Sequence, residues 1–240
     1  MKKYRKLSLR YPGGKSRVAK KIISKMEPHE KYVEPFAGAA HVFLKKPKAK
    51  SNVLNDTNKD ITRFLKAIKG KKLCCNIKDD KATFNRILKK KNKTPCDFIA
   101  LNQRSYSGDM KYFSHPGTKS EQCFDGTKLK GVRITNQDFR KTIKNHDSKN
   151  TLFYVDPPYV KANEKRCLYG KDGCKVTPKE VADAVKKIKG KAIISYDNHP
   201  SVRKAFKGCK IGKIEFPYTY DGKKGQKWRK TKELLITDCK

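Results

Sequence analysis

Thr151-Leu152-Phe153-Tyr154-Val155-Asp156-Pro157-Pro158-Tyr159 is a strand-favouring run, then an acid, two prolines and a tyrosine. A run without polar alternation reads as a strand buried on both faces, the pattern of a parallel sheet. Asp156 ends it, and the prolines donate no ladder hydrogen bonds and set an extended turn. Ligands of an open α/β sheet collect at the carboxyl ends of its strands, so Asp156-Pro157-Pro158-Tyr159 belongs at a pocket mouth.

Working outward, Lys31-Tyr32-Val33-Glu34-Pro35-Phe36 reads as a strand entering the small-residue turn Ala37-Gly38-Ala39-Ala40. Val42, Phe43 and Leu44 open a helix, and Ser51-Asn52-Val53-Leu54-Asn55-Asp56 is a second strand ending on an acid. Strand, glycine turn, helix and strand make a nucleotide-binding α/β unit. Only Gly38 is glycine in that turn, so a pyrophosphate cradle is not indicated. Asp56 stands where an acid accepts hydrogen bonds from ribose hydroxyls, or else caps a helix from Thr57 onward. Further on, Thr177-Pro178-Lys179-Glu180 opens a capped helix leading to a strand at Lys191 to Ser195, with a final strand at Glu233 to Thr237. Residues 62–131 break the alternation with lysine pairs, the adjacent Cys74 and Cys75, an apolar period at Phe84, Ile87 and Leu88, and the polar-aromatic stretch Leu101 to Gly117. They read as a small, mostly helical insertion with a flexible loop, inside a main domain made of 1–61 and 132–240.

The chain has 240 residues, 36% hydrophobic, enough for one sizeable core. Its 60 Lys+Arg against 23 Asp+Glu leave a formal net charge of +37, a surface that seeks polyanions. Aromatics at 10% and runs such as Ala192-Ile193-Ile194 and Leu234-Leu235-Ile236 exclude a wholly disordered basic chain. The eight cysteines form no C-x-x-C pair and no signal peptide precedes them, so reduced thiols of a cytoplasmic, non-secreted protein are expected. Cys167 and Cys174 with His199 are the zinc alternative, but their spacing does not favour it and no metal is expected. No apolar stretch reaches the roughly 20 residues that span a bilayer, so no membrane role is expected.

The tetrapeptide carries the chemistry. The Asp156 carboxylate and the Pro157 carbonyl form an acceptor pair for the two hydrogens of a planar amino group, while the Tyr159 ring stacks on the heterocycle bearing it. Such bonds draw the nitrogen toward tetrahedral geometry and free its lone pair for attack on an electrophile. A plain strand-terminating turn is the alternative.

Arg10-Tyr11-Pro12-Gly13-Gly14-Lys15, Glu34-Pro35-Phe36-Ala37-Gly38-Ala39, Leu54-Asn55-Asp56 and Asp156-Pro157-Pro158-Tyr159, in that order, resemble the Dam-like DNA adenine N6-methyltransferases. The resemblance covers nearly the whole chain. It takes in Asn102-Gln103-Arg104 with Ser107-Gly108, Ser195-Tyr196-Asp197-Asn198-His199 and Trp228-Arg229-Lys230-Thr231-Lys232-Glu233-Leu234-Leu235. It implies a Rossmann-like, S-adenosyl-L-methionine-dependent fold, with the helix after Gly13-Gly14-Lys15 beside the last part of the sheet. Tyr11 and Lys15 then lie by the methionine end of the cofactor and the target pocket. Glu34, Phe36 and Gly38 line the cofactor, Asp56 holds its ribose, and Asp138-Phe139 holds its adenine. Asp156, Pro157, Pro158 and Tyr159 form the catalytic turn, with Asp156 facing cofactor and target. The insertion falls where this group carries its DNA-recognition region.

The partner implied is double-stranded DNA, read by a monomer alone or beside a restriction endonuclease. Lysines supply salt-sensitive phosphate contacts. Arg104 is the candidate to bridge guanine O6 and N7, and Tyr106 the candidate wedge between base pairs. A buried target nitrogen requires base flipping, which Lys15 and Asn198 would support. Asp197-Asn198-His199 reads equally as a capping turn. Cytosine N4 or RNA methylation, and a basic DNA-binding protein without catalysis, are the competing readings.

Overall fold

The computed structural model describes residues 4–7, 9–11, 13–105, 108–114, 120–160, 176–217 and 230–239. In chain order its first half holds β1 (Arg5–Lys6), α1 (Ala19–Ile23), β2 (Lys31–Glu34), α2 (His41–Lys45), β3 (Ser51–Asn55), α3 (Lys59–Ile68), β4 (Lys72–Asn76), α4 (Lys81–Lys89) and α5 (Pro95–Gln103). Then come β5 (Glu121–Asp125), β6 (Arg133–Thr135), α6 (Phe139–His146), β7 (Thr151–Val155), α7 (Pro178–Val185), β8 (Lys191–Asp197), α8 (Pro200–Ala205), β9 (Lys210–Pro217) and β10 (Lys230–Thr237).

Every residue of β7 is buried, as its unbroken apolar run requires, and it pairs in parallel with β2 on one side and β8 on the other. The main sheet runs β6-β3-β2-β7-β8-β10-β9, parallel from β6 to β8, with β10 antiparallel to both its neighbours. The chain moves outward from β2 through β3 to β6 and then returns to continue from β7. Strand order therefore reverses between β2 and β7, where the loops beyond the strand ends part and leave a crevice. This is the Rossmann-like α/β class read from the sequence.

Alternate residues of each central strand feed opposite layers, because successive side chains point to opposite faces. Tyr32, Leu54, Leu152, Tyr154 and Ile193 join Ile22, Val42 and Phe43 on one side. Val33, Val53, Phe153, Val155 and Ile194 meet Phe139, Ile143, Val181, Val185 and Phe206 on the other. Each fully buried side chain of this size contributes about 1.5–3 kcal/mol. Helix α7 carries the capping box of Thr177 and Glu180 read from the sequence. Lys21 of α1 donates to the Glu215 carbonyl of β9 at 3.0 Å, so the helix after the Gly-Gly-Lys turn does lie beside the last part of the sheet. Strand β9, alternating lysines with isoleucines at the sheet edge, escaped the sequence reading.

Helices α4 and α5 outweigh the strands of the insertion, as expected, but the strands were not foreseen: β4 and β5 pair antiparallel, and β5 pairs in parallel with the N-terminal β1. A three-stranded sheet, β1-β5-β4, thus joins α4 and α5, and its short strands lack the apolar alternation that marks a strand in sequence. One expectation is corrected: the described cysteines are not reduced. Cys74 and Cys123 are opposed in the β4–β5 ladder and bonded, Cys75 bonds Cys96 of α5, and Cys209 bonds Cys239. Adjacent strand residues point to opposite faces, so Cys74 and Cys75 staple β4 in two directions. Cys167 and Cys174 lie outside the described residues. Among the described residues no helix is long and apolar enough to cross a membrane.

Candidate active site

Asp156 stands one residue past the end of β7, 19% exposed at its side chain. Its Oδ1 takes two bonds at 2.9 Å, one from Lys15 Nζ and one from Ser195 Oγ of β8. Ser195 is itself within 2.8 Å of the Tyr154 hydroxyl, so two adjacent strands brace the carboxylate from beneath. Burial pushes the Asp156 carboxyl above the ordinary aspartate value, and the Lys15 ammonium opposes that rise. The exit of the tetrapeptide is tied down where the Val160 N–H donates to Asp197 Oδ1 at 3.1 Å.

Across the crevice, Gly38 takes φ +47, and its N–H donates to Asp56 Oδ2 at 2.8 Å. Asp56 Oδ1 accepts from the Asn58 N–H at 2.9 Å. Asn58, not Asp56, caps α3, which sets aside the capping reading of Asp56. Burial raises the Asp56 carboxyl, while these two N–H groups hold it down. Glu34 Oε1 accepts from the Tyr32 hydroxyl at 2.7 Å and the Phe43 N–H at 2.9 Å, and burial pushes its carboxyl up to about 8. The Phe36 and Phe139 rings lie 4.9 Å apart, and Asp138 caps α6.

One cavity brings these groups together. Its open space amounts to about 940 Å³ including the mouth, and its lining takes in Tyr11, Lys15, Glu34, Phe36, Gly38, Asp56, Asp138, Phe139, Asp156, Pro157, Pro158 and Tyr159. Every cofactor and catalytic candidate of the sequence reading is therefore in one place. His41 also lines it. Its Nε2 faces the Leu9 carbonyl at 3.1 Å, and burial pulls its pKa down to about 4, so it is neutral.

The DNA-contact candidates fare differently. Arg104 is 1% exposed, and its Nε lies 3.1 Å from Asp79 Oδ1. A guanidinium enclosed in an ion pair cannot reach a base edge, so its reading as a base reader is corrected. Tyr106 lies outside the described residues. Asn198 is exposed at the end of β8, where its Oδ1 accepts from Arg203 Nε at 2.9 Å, and His199 caps α8, in line with the capping-turn alternative. Sequence reasoning missed Ser195 and Glu233 as site residues. They are remote from the tetrapeptide in the chain, and only the β7-β8-β10 order brings them to it.

A family model for D12 class N6 adenine-specific DNA methyltransferases matches residues 11–121 and 102–219. The chain belongs to this family.

No curated protein matches the sequence. Among solved structures, a conserved hypothetical protein of Streptococcus pyogenes is similar at 11% identity and TM-score 0.42, over 92% of this chain and 95% of that one. Precorrin-6Y C5,15-methyltransferase of Geobacter metallireducens is similar at 10% identity and TM-score 0.44, over 92% and 84%.

S-adenosyl-L-methionine is the methyl donor of this family, and the cavity fits it. A Cβ on Gly38 would fall 2.8 Å from the Tyr11 ring, so the turn is kept bare beside the cavity. Asp56 spends one lone pair of each oxygen on backbone N–H groups, and the remaining lone pairs could accept from hydroxyls such as those of a ribose. The Phe36–Phe139 pair offers apolar faces to an adenine.

Proposed function

We propose that the protein transfers a methyl group from S-adenosyl-L-methionine to N6 of an adenine flipped out of duplex DNA. The observation that carries this reading is the placement of Asp156 and its Pro-Pro-Tyr turn on the wall of the cavity that also holds Gly38 and Asp56. The bound cofactor supplies an electrophilic methyl group; the protein makes the amino group a nucleophile. Asp156 and the Pro157 carbonyl accept its two N–H bonds, and the lone pair turns out of the ring plane toward the methyl. Lys15 and Ser195 both bond Asp156 Oδ1 and hold the carboxylate in place for the incoming amine. Tyr159 replaces part of the stacking that the base loses on leaving the duplex.

The charge of +37 suits a phosphate backbone, and residues 62–131, held by two disulfides, are assigned to target recognition. The test is transfer of labelled methyl to unmodified duplex DNA, followed by sequencing that maps N6-methyladenine. Label recurring at one short motif supports the reading. Label on cytosine N4 or only on RNA replaces it with the corresponding methyltransferase, and binding without label on any of them points to a non-catalytic binder.

A further inference from the structure

Lys15 is 4% exposed, and its ammonium is held at three points: the Gly13 carbonyl at 2.6 Å, Asp156 Oδ1 at 2.9 Å and, at a longer 3.9 Å, Glu233 Oε2 from β10. The same nitrogen sits over the Tyr159 ring, 4.7 Å from its centre. Tyr196 packs on that ring at 5.9 Å with an interplanar angle of 26°. The stacking position beside the catalytic aspartate is thus filled by a cation. Glu233 is 5% exposed, and among the described residues its Oε2 has no hydrogen-bond partner. A buried carboxylate oxygen left so costs free energy until a donor reaches it. Two donors stand beside it, the Tyr159 hydroxyl, which steadies its charge without closing a well-formed hydrogen bond, and the Lys15 ammonium at 3.9 Å, about 1 Å short of hydrogen-bond distance.

We propose that Glu233 is a positioning residue that receives Lys15 when the target base enters, drawing the ammonium off the Tyr159 ring and off Asp156. The proposal rests on the reading of Asp156 to Tyr159 as an amino-group site. An arriving amino group replaces one donor on Asp156 by another, and the displaced ammonium gains the partner that Glu233 lacks. The number of charge-assisted bonds is conserved while the ring face is cleared. Without an acceptor there, Lys15 would compete with the base for both Asp156 and the ring.

Several groups set the charge of Glu233. Lys15 faces it from the turn before α1, Asp156 and Tyr159 from the turn after β7, and Tyr154 from β7 itself. Asp197 is its register partner on β8, and its β9 partner Ile214 is apolar, flanked by Lys213 and Glu215. Burial pushes its carboxyl up to about 7, and Asp156 and Asp197 add to the rise while Lys15 and the Tyr159 hydroxyl oppose it. Only the ionised form is a good receiver, so reception is lost as pH falls through about 7.

The test uses the full chain and duplexes carrying 2-aminopurine at the adenine mapped as methylated. The wild type should show a fluorescence rise on binding that fades as pH drops through about 7. Glu233→Gln should show a rise smaller by roughly tenfold and independent of pH in this range, with DNA affinity changed by less than about twofold. Adding Lys15→Ala to that variant should restore the rise, because the competitor is gone; additive loss would instead mark Glu233 as merely structural and overturn the proposal. A Glu233→Gln protein that flips the base as the wild type does, with the same pH limb, also overturns it. Should the variant fail to fold, the wild-type profile decides: a flat response from about pH 6 to 8 overturns the proposal. A wild type that methylates no adenine brings down the functional reading itself, an outcome distinct from adenine methylation with a flat flipping profile.

Discussion

Gly38 donates its backbone N–H to Asp56 Oδ2 at 2.8 Å, so the turn after β2 and the acid after β3 form one rigid lip of the cavity. The bond joins residues that the sequence presents as separate motifs. It also orients the carboxylate before any ligand arrives.

Gly38→Ala attacks that lip twice. The residue sits at φ +47, which costs an L-residue about 1–2 kcal/mol. Its new Cβ would also stand 2.8 Å from the Tyr11 ring. Calorimetric titration with S-adenosyl-L-methionine should show affinity reduced by about tenfold or more, while the thermal melt drops by only a few degrees.

Asp156→Ala should separate chemistry from binding. Methyl transfer should fall by about a thousandfold or more, because both the N–H acceptor and the anchor of Lys15 are lost. DNA binding by gel shift should survive and weaken steeply with salt in variant and wild type alike, since lysine–phosphate contacts release counterions. Residual transfer equal to the wild type would remove Asp156 from its role.

Arg104→Ala should destabilise the insertion without altering target choice. Its buried guanidinium pairs with Asp79, whose side chain is 31% exposed and so is partly rehydrated when left alone. Breaking such a pair should cost about 2 kcal/mol, the low end for a buried charge, readable as a shifted urea midpoint. The mapped methylation motif should stay the same; a changed motif would return Arg104 to base reading.

Reduction should loosen the insertion. The Cys74–Cys123 bond spans a separation of 49 residues and the Cys75–Cys96 bond one of 21. Cross-links over loops of this length each stabilise by about 2–4 kcal/mol. Melting with and without reductant should show a large drop, and mass spectrometry under non-reducing conditions should find the described cysteines paired. Equal melting temperatures would show that these bonds do not hold the fold.

Much of the α/β frame was legible because its signals are local. The apolar run 151–155, the glycine turn at Gly38 and the Thr177–Glu180 box each specify an element through residues within a turn of one another. Strands β4, β5 and β9 were not legible, since lysines, acids, amides and a glycine interrupt their apolar residues and pairing supplies what propensity does not. Arg104 was misread because charge in sequence says nothing of burial; a guanidinium goes inside when a partner such as Asp79 goes with it.

By itself the sequence determined the alternating frame, the family and the cavity-lining motifs, because each is a short-range pattern of residue types. Tertiary structure alone decided which remote side chains complete the site. The strand order β7-β8-β10 carries Ser195 and Glu233 to the turn that holds Asp156, and Lys15 comes to them from the other end of the chain. Electrostatic coupling depends on distance in space and on exclusion of water, and neither is written in sequence separation.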